Sequence, residues 1–391
     1  MADTNAGGPV TEPLGLPLLP VAHPPRRPWL GALSFLGLAV AGLIVLGVIA
    51  LRSGPVPFSL GLVLALVPVP VLALGVLGLD RYEPEPLRLL VFTFAWGATA
   101  AALVALVLNT ADLLALRALL DDGTANFLSA SLGAPVIEEC AKGAVILGLL
   151  RLQHHELDGP IDGIVYAGLV GLGFAMTENV LYYSAAAVHG GVPGLLGTFL
   201  LRGVISPFLH PLFTAATGIG LGFAALARTR AGRVLPPVIG LAVAMLLHGT
   251  WNAAATRHHT LVVYLYLMFP VLLAVLAVAA VEQRRLRRLM ARVLPMYARA
   301  GWLGPADIGM LTSVRRRRQA RRVVHAGGGG RAERAMRDFQ AAATELALLH
   351  DRGERHQVDA PTYSVRQQVL LRQLAVSRAG VIGPAPQASR R

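Results

Sequence analysis

Long apolar stretches separated by short polar segments fill most of the chain before residue 283. A bilayer core about 30 Å thick is crossed by roughly 20 apolar residues in a helix. Eight such runs occur, beginning near Trp29, Phe58, Leu87, Thr124, Ile161, Leu195, Val234 and Leu261. The pattern predicts an all-α, polytopic membrane protein with about eight transmembrane helices.

Outside these runs the pattern changes at both ends of the chain. The first segment is rich in Pro, Gly and Thr and has no apolar period, which is typical of disorder. After the last run the apolar positions become sparse and helical in spacing, with a break at Gly327–Gly330. We therefore predict four parts: disordered 1–28, the membrane domain 29–283, a basic amphipathic juxtamembrane segment 284–322 and a flexible helical cytoplasmic tail 323–391.

Composition and charge support the membrane prediction and orient the chain. Hydrophobic residues make up 54% and charged residues 15%, which excludes an ordinary soluble globular domain. Residues 283–391 contain 22 Arg against 7 Asp and Glu, a net charge of +15. Since positive flanks stay inside, both termini are expected in the cytoplasm of a plasma-membrane protein. Anionic lipid is the expected partner of this basic tail, and nucleic acid is not.

Four predicted spans contain ionisable or strongly polar residues. A charged side chain at mid-bilayer costs about 2.5–3.5 kcal/mol on insertion scales, so such residues normally face an interior site. The helical rise places all four groups in one layer between the bilayer centre and the outer face. They are expected to converge. The motifs are EECAK (138–142), FAMTEN (174–179), HPLFT (210–214) and HGTWN (248–252).

Spacing within the motifs suggests separate roles for the side chains. Lys142 is the only lysine among 35 basic residues and lies one helical turn from two glutamates. Adjacent residues point about 100° apart on a helix, so one of Glu138 and Glu139 can pair with Lys142 while the other faces a separate partner. The plain alternative is an ion pair that only neutralises buried charge. His248 and Asn252 are four residues apart and share a helical face.

Such a layer of side chains suits hydrolysis of a peptide bond. A glutamate beside a histidine can deprotonate water, and a second histidine with an asparagine can stabilise the oxyanion. Alternatively, Glu139, His210 and His248 would bind a catalytic zinc ion and leave the other glutamate as base, although the HExxH motif is absent. The catalytic candidates are Glu138, Glu139, His210, His248 and Asn252, supported by Lys142, Glu178 and Asn179.

The order of the motifs resembles one known family. DRYEPEP (80–86), EECAK, FAMTEN and HGTWN together resemble the PrsW family of intramembrane proteases, which is related to the CAAX prenyl endopeptidase and Abi superfamily. The resemblance covers about residues 30–285. It implies that Glu138 and Glu139 are catalytic carboxylates, that His210 activates water or binds metal, and that His248 with Asn252 completes the site. It also implies a membrane-anchored protein substrate such as a single-span anti-sigma factor. DRYEPEP itself is expected to form a turn at the inner surface.

Two other functions are compatible with the sequence. Buried carboxylates and histidines also form the ion pathway of secondary transporters, which is the main alternative. The third hypothesis is a noncatalytic membrane scaffold that presents its basic tail to a partner.

Overall fold

The structure, a computed structural model, describes residues 28–82, 85–153, 157 and 159–382. The described residues are mainly helical and contain no strand, which confirms the all-α prediction. The expected disordered segment 1–28 lies outside the described residues except for Pro28. The helices are α1 (Pro28–Ser53), α2 (Pro55–Leu66), α3 (Val69–Leu77), α4 (Leu87–Trp96), α5 (Ala102–Arg117), α6 (Asp122–Leu128), α7 (Ala134–Leu152), α8 (Pro160–Phe199), α9 (Leu209–Ala225), α10 (Arg230–Thr256), α11 (Thr260–Val263), α12 (Phe269–Arg299), α13 (Pro305–Leu311), α14 (Val314–Glu354) and α15 (Ala360–Ile382).

Several of these helices are long and apolar enough to cross a bilayer, so this is a multi-pass membrane protein. Among the described residues, six helical stretches meet that criterion, and one of them, Pro160–Ala225, has 66 residues. That stretch contains the fifth and sixth predicted runs. The helix α7 is not among the six because Glu138, Glu139 and Lys142 reduce its hydropathy. The count of eight spans stays a prediction.

The helix α8 is the central element of the membrane domain. Almost every side chain from Pro160 to Val180 is buried, and α8 packs against α2, α4 and α9. It bends at Gly191, whose φ of +59° is accessible to glycine, with Pro193 shortly after the bend. The next helical segment has a wide π-type turn at Leu200–Ile205 and is interrupted at Ser206 before α9 begins. This interruption directly precedes His210.

Close backbone contacts hold α8 against α9 at the level of the polar layer. A Cβ atom at Gly171 would lie 2.6 Å from the carbonyl oxygen of His210, which is too close for any other residue. Similarly, a Cβ at Gly249 on α10 would lie 2.5 Å from the carbonyl oxygen of Ser131. Both glycines allow backbones to approach without an intervening side chain. These two contacts pack α8 against α9, and α10 against the turn before α7, close to the polar residues.

The segment after the membrane domain is packed, which differs from the expected flexible tail. The helix α12 runs without a break from the last apolar run to Arg299. Its buried Met290 and Leu294 share a hydrophobic core with Phe339 and Leu346 of α14, and with Leu374 of α15. Helices α12, α14 and α15 therefore share one hydrophobic core. The apolar residues of this core are separated by many arginines in the sequence. The polar composition therefore gave little indication that these helices pack together.

Two further contacts join this tail to the inner loops of the membrane domain. Tyr82 of the DRYEPEP motif is buried in the tail core, and its hydroxyl donates to the Thr312 carbonyl at 3.2 Å. The Gln357 amide donates to the Leu226 carbonyl at 2.7 Å. The expected break at Gly327–Gly330 is a bend within α14, since only Gly329 leaves helical geometry there. Residues 383–391 of the predicted tail lie outside the described residues.

Candidate active site

Four helices bring the polar motifs to one buried place in the membrane domain. The side chains of Glu138, Glu139 and Lys142 from α7 meet His210 from α9 and His248 from α10. Glu178 and Asn179 approach from α8 and complete the group. Glu139 and Lys142 have no exposed surface, while His248 is 2% and His210 is 9% exposed. We refer to these seven residues as the polar cluster.

Lys142 is the centre of the polar cluster. Its Nζ lies 2.9 Å from Glu139 Oε1, 3.3 Å from Glu138 Oε2 and 3.1 Å from His210 Nδ1. The ammonium also stands 3.8 Å from the centre of the Phe174 ring, a cation–π geometry. One positive charge thus faces two carboxylates in a low-dielectric interior, where unpaired charges are costly.

The two neighbouring glutamates have different environments. Both oxygens of Glu139 are engaged, because Oε1 faces Lys142 and His248 Nδ1 at 3.0 Å, and Oε2 accepts from the Thr214 hydroxyl at 3.1 Å. Glu138 accepts from the Asn109 amide at 3.1 Å on Oε1, while its Oε2 lies 3.8 Å from His248 Nε2. Glu139 is therefore a fixed partner of His248. Glu138 faces Nε2, the other ring nitrogen of His248.

His210 is oriented by a chain of charged groups on the sixth predicted span and α8. Its Nε2 lies 2.7 Å from Glu178 Oε2, and the same oxygen accepts from the Arg202 guanidinium. The Arg202 Nε also donates to Asn179 Oδ1 at 2.7 Å. The interruption at Ser206 leads directly into the turn of α9 that carries His210. Arg202 thus fixes Glu178, which in turn fixes the imidazole.

The structure does not bring every candidate into the polar cluster. Asn252 donates its amide to the Ala130 carbonyl at 2.9 Å, which holds α10 against the wide turn Ser129–Gly133 before α7. Its predicted contribution to an oxyanion site stays a prediction. In the DRYEPEP motif, Glu83 and Pro84 lie outside the described residues. Glu85 accepts a hydrogen bond from the Tyr166 hydroxyl, so the motif joins the inner end of α8 rather than the polar cluster.

Three of the buried donors fit a metal ion. Among the described residues, one oxygen of Glu138 and one ring nitrogen each of His210 and His248 lie within 4.8 Å of one another. Two imidazoles and a carboxylate are the ligand set of a catalytic zinc site. This differs from the predicted set, which used Glu139, because both oxygens of Glu139 are already occupied. The Lys142 ammonium contacts two of these three side chains, Glu138 at 3.3 Å and His210 at 3.1 Å.

Three further polar side chains hold the carboxylates of the cluster, and one of them, Asn109, was missed by sequence reasoning. Asn109 holds Glu138, Thr214 holds Glu139, and Arg202 holds Glu178. Arg202 carries the clearest signal, since an arginine within an apolar run needs a buried anion. Thr214 belongs to the HPLFT motif and follows His210 by one helical turn, so the sequence already predicts it on the same face. Asn109 has no such signal because it lies near the end of its run.

The chain is similar to known proteins over the same segment that carries the polar cluster. Residues 85–276 match the family model described as PrsW family intramembrane metalloprotease, and they include α7 to α10. Protease PrsW of Geobacillus kaustophilus is 34% identical over 149 residues, which are 38% of this chain and 59% of the relative. Protease PrsW of Bacillus subtilis is 27% identical over 191 residues, which are 49% of this chain and 79% of the relative.

A relative from Clostridioides difficile, also named Protease PrsW, is 24% identical over 211 residues, 54% of this chain and 85% of that protein. The chain aligns with less than two thirds of the length of the Geobacillus protein. No solved structure gives a significant match. The tail after residue 276 lies outside the family model.

Proposed function

We propose that this protein is an intramembrane endopeptidase of the PrsW type, which hydrolyses a peptide bond of a membrane-anchored protein. The observation that carries the proposal is the polar cluster, in which Glu138, Glu139, His210 and His248 meet inside an apolar helix bundle. The segment that forms the cluster is also the segment that resembles the family. Burial of so many ionisable groups is costly, and function is the usual reason for it.

The side chains divide the work of hydrolysis between them. Glu138 is the proposed general base, since its Oε2 is shared by Lys142 and His248 and is not held by a hydroxyl or amide donor. Glu139 positions His248 through Nδ1, and Glu178 positions His210 through Nε2. Lys142 keeps the two adjacent carboxylates compatible with burial and can face the oxyanion that forms during attack.

The same donors fit a metal-assisted form of this proposal. Glu138, His210 and His248 would hold the ion, and zinc is the candidate because of its preference for this ligand set. When bound, zinc would make a coordinated water acidic and polarise a carbonyl group. Glu139 would then hold the His248 ring through its other nitrogen, as carboxylates do behind metal-bound histidines. The glutamic and metal-dependent forms share two positioning contacts, Glu139 with His248 and Glu178 with His210.

The substrate and the orientation extend the proposal beyond the polar cluster. We propose a single-span protein such as an anti-sigma factor as substrate, cut toward the extracytoplasmic side of the plasma membrane. We also propose that both termini lie in the cytoplasm, as the basic flanks predict, and that the Arg-rich segment 284–322 contacts anionic lipid. Kinship with the CAAX prenyl endopeptidase and Abi superfamily stays a prediction from the motifs.

A comparison of cleavage products tests the peptidase against the transporter alternative. Membranes from cells expressing the wild type and the Glu138→Gln variant at equal abundance would be compared by terminal proteomics. New termini in or beside single-span segments are expected with the wild type alone. Identical termini in both samples, together with Glu138-dependent ion flux in sealed vesicles, would favour a transporter instead.

A further inference from the structure

A basic cleft lies in the tail, outside the polar cluster and outside the family match. The helix α14 bends at Gly329, where a φ of +65° is accessible to glycine. The arms before and after the bend line a cleft of about 510 Å³. We call it the basic cleft. Its lining residues are Arg318, Arg321, Arg322, His325, Ala326, Glu333 and Arg337.

Helical spacing concentrates positive charge on the two facing arms. On the first arm, Arg321 follows Arg318 by three residues and His325 follows Arg321 by four. The three side chains therefore share one helical face. The lining contains four arginines but a single carboxylate, Glu333. Burial, and then the neighbouring Arg337 and Arg318, lower the pKa of the Arg321 guanidinium. The arginines therefore repel one another, and an anion would relieve that repulsion.

Glu333 shows how the basic cleft receives an oxyanion. Its Oε2 lies 2.7 Å from His325 Nδ1 on the opposite arm, while Oε1 accepts from Arg337 on its own arm. Hydrogen bonds from Arg337 and then His325 lower the pKa of Glu333. One carboxylate thus joins both arms, yet Arg318, Arg321 and Arg322 remain in the lining beside it.

We infer that the basic cleft binds an anion with two or more phosphoryl groups. Guanidinium groups form paired hydrogen bonds with phosphate oxygens, and four of them match a multiply charged ligand better than a single carboxylate. The volume lies within the range of small-molecule sites. This site is independent of the proposed peptidase, and it is more specific than a general attraction of the tail to lipid. A soluble polyphosphate and a lipid headgroup share the required chemistry.

Calorimetric titration of the full chain tests the inference. The protein would be held in nanodiscs of neutral phosphatidylcholine and titrated with inorganic tripolyphosphate, with orthophosphate as the weaker ligand. Saturable binding is expected, and Arg321→Gln with Arg337→Gln should weaken it by at least about tenfold, because charge-assisted hydrogen bonds are lost. Glu333→Gln should tighten binding by removing the competing carboxylate, a gain that misfolding would not produce.

A matched pair of substitutions separates the basic cleft from net charge. Arg315→Gln with Arg372→Gln removes the same charge from tail helices at positions outside the lining, and binding should remain within about twofold of the wild type. Absence of saturable binding, or equal weakening by both pairs, overturns the inference. Nanodiscs containing some cardiolipin, a lipid with two phosphates, identify the source: weaker tripolyphosphate binding there assigns the headgroup, and unchanged binding assigns a soluble polyphosphate.

Discussion

His248 Nδ1 lies 3.0 Å from Glu139 Oε1, inside the helix bundle and away from any exposed surface. The contact gives two adjacent glutamates different roles, because a ring nitrogen that is held by one carboxylate leaves the other nitrogen directed toward Glu138. Glu139 is thus a positioning residue, and Glu138 is the proposed base or metal ligand. The predictions below follow from this division and from the contacts around it.

The first prediction concerns the two glutamates. Glu138→Gln should abolish cleavage, whereas Glu139→Gln should leave a measurable rate and reduce metal affinity by about 10–100-fold, as expected for a residue behind a ligand. Cleavage of a membrane-anchored reporter and metal content of the purified protein would be measured. Glu354→Gln, the same change at a surface ion pair, is the control. Equal loss of cleavage in both site variants, with equal loss of metal, would contradict the division.

The second prediction concerns Lys142. Lys142→Gln leaves two adjacent carboxylates without their cation, and breaking a buried ion cluster costs about 3–5 kcal/mol. The variant should unfold at a markedly lower temperature in detergent, and added zinc should restore it more than it raises the wild type. Arg292→Gln, which removes an exposed cation, should have little effect. An unchanged midpoint for Lys142→Gln would show that the ammonium does not stabilise the cluster.

The third prediction concerns the contact of α8 with His210. Gly171→Ala places a methyl group against the His210 carbonyl and should displace the imidazole. Cleavage should fall by about 100-fold, as a shift near 1 Å at a catalytic group can produce. Gly148→Ala on α7, where nothing lies within 4 Å, should leave the rate near wild type. If the two alanine variants cleave the reporter equally well, the close approach does not matter.

The fourth prediction concerns Arg202. Arg202→Gln releases Glu178, which then holds His210 less firmly, so cleavage should fall by about 10–100-fold. Arg202→Lys should recover part of the rate because it retains the charge without the planar fork. Reporter cleavage and zinc affinity would be measured together. Arg257→Gln, at an arginine stacked on Phe127 outside the cluster, is the matched control and should change neither.

The fifth prediction concerns the junction of the tail with the inner loops. Tyr82→Ala removes a buried aromatic ring from the tail core, a change that costs about 3–5 kcal/mol where burial is complete. Hydrogen exchange of residues 286–354 should accelerate. Tyr266→Ala removes a ring that is 80% exposed and should leave exchange unchanged. Slow exchange in both variants would mean that the tail folds without this contact.

Convergence of the ionisable side chains could be predicted from the sequence because charged groups within membrane spans are costly unless they pair in the protein interior. A glutamate, a lysine or an arginine in an apolar helix must find a partner, and Lys142 lies at the spacing that pairs it with both glutamates. Helical periodicity also indicates that Glu138 and Glu139 point in different directions. The absolute rotation of α7 does not follow from its sequence. The choice of Glu138 as the carboxylate that groups with both histidines as a possible metal ligand therefore required the packed structure.

The tail was harder to predict for a different reason. Its core residues, such as Leu294 and Phe339, are separated by arginines and belong to helices far apart in the chain. The spacing of apolar residues predicts each helix individually. A short apolar face does not show which other helix it packs against. The contact of Tyr82 with this core also joins residues more than 200 positions apart, as its hydrogen bond to Thr312 shows. Such pairing depends on tertiary geometry that local patterns do not contain.

Lys142 is the only lysine of the chain, and this has a practical consequence. With no other lysine in the chain, amine-selective reagents have one side-chain target, and that target has no exposed surface. The rate at which Lys142 is acylated would therefore measure how often the interior opens to water. A substrate or inhibitor that keeps water from Lys142 should slow this labelling, so a single peptide observed by mass spectrometry could report how often the helix bundle opens.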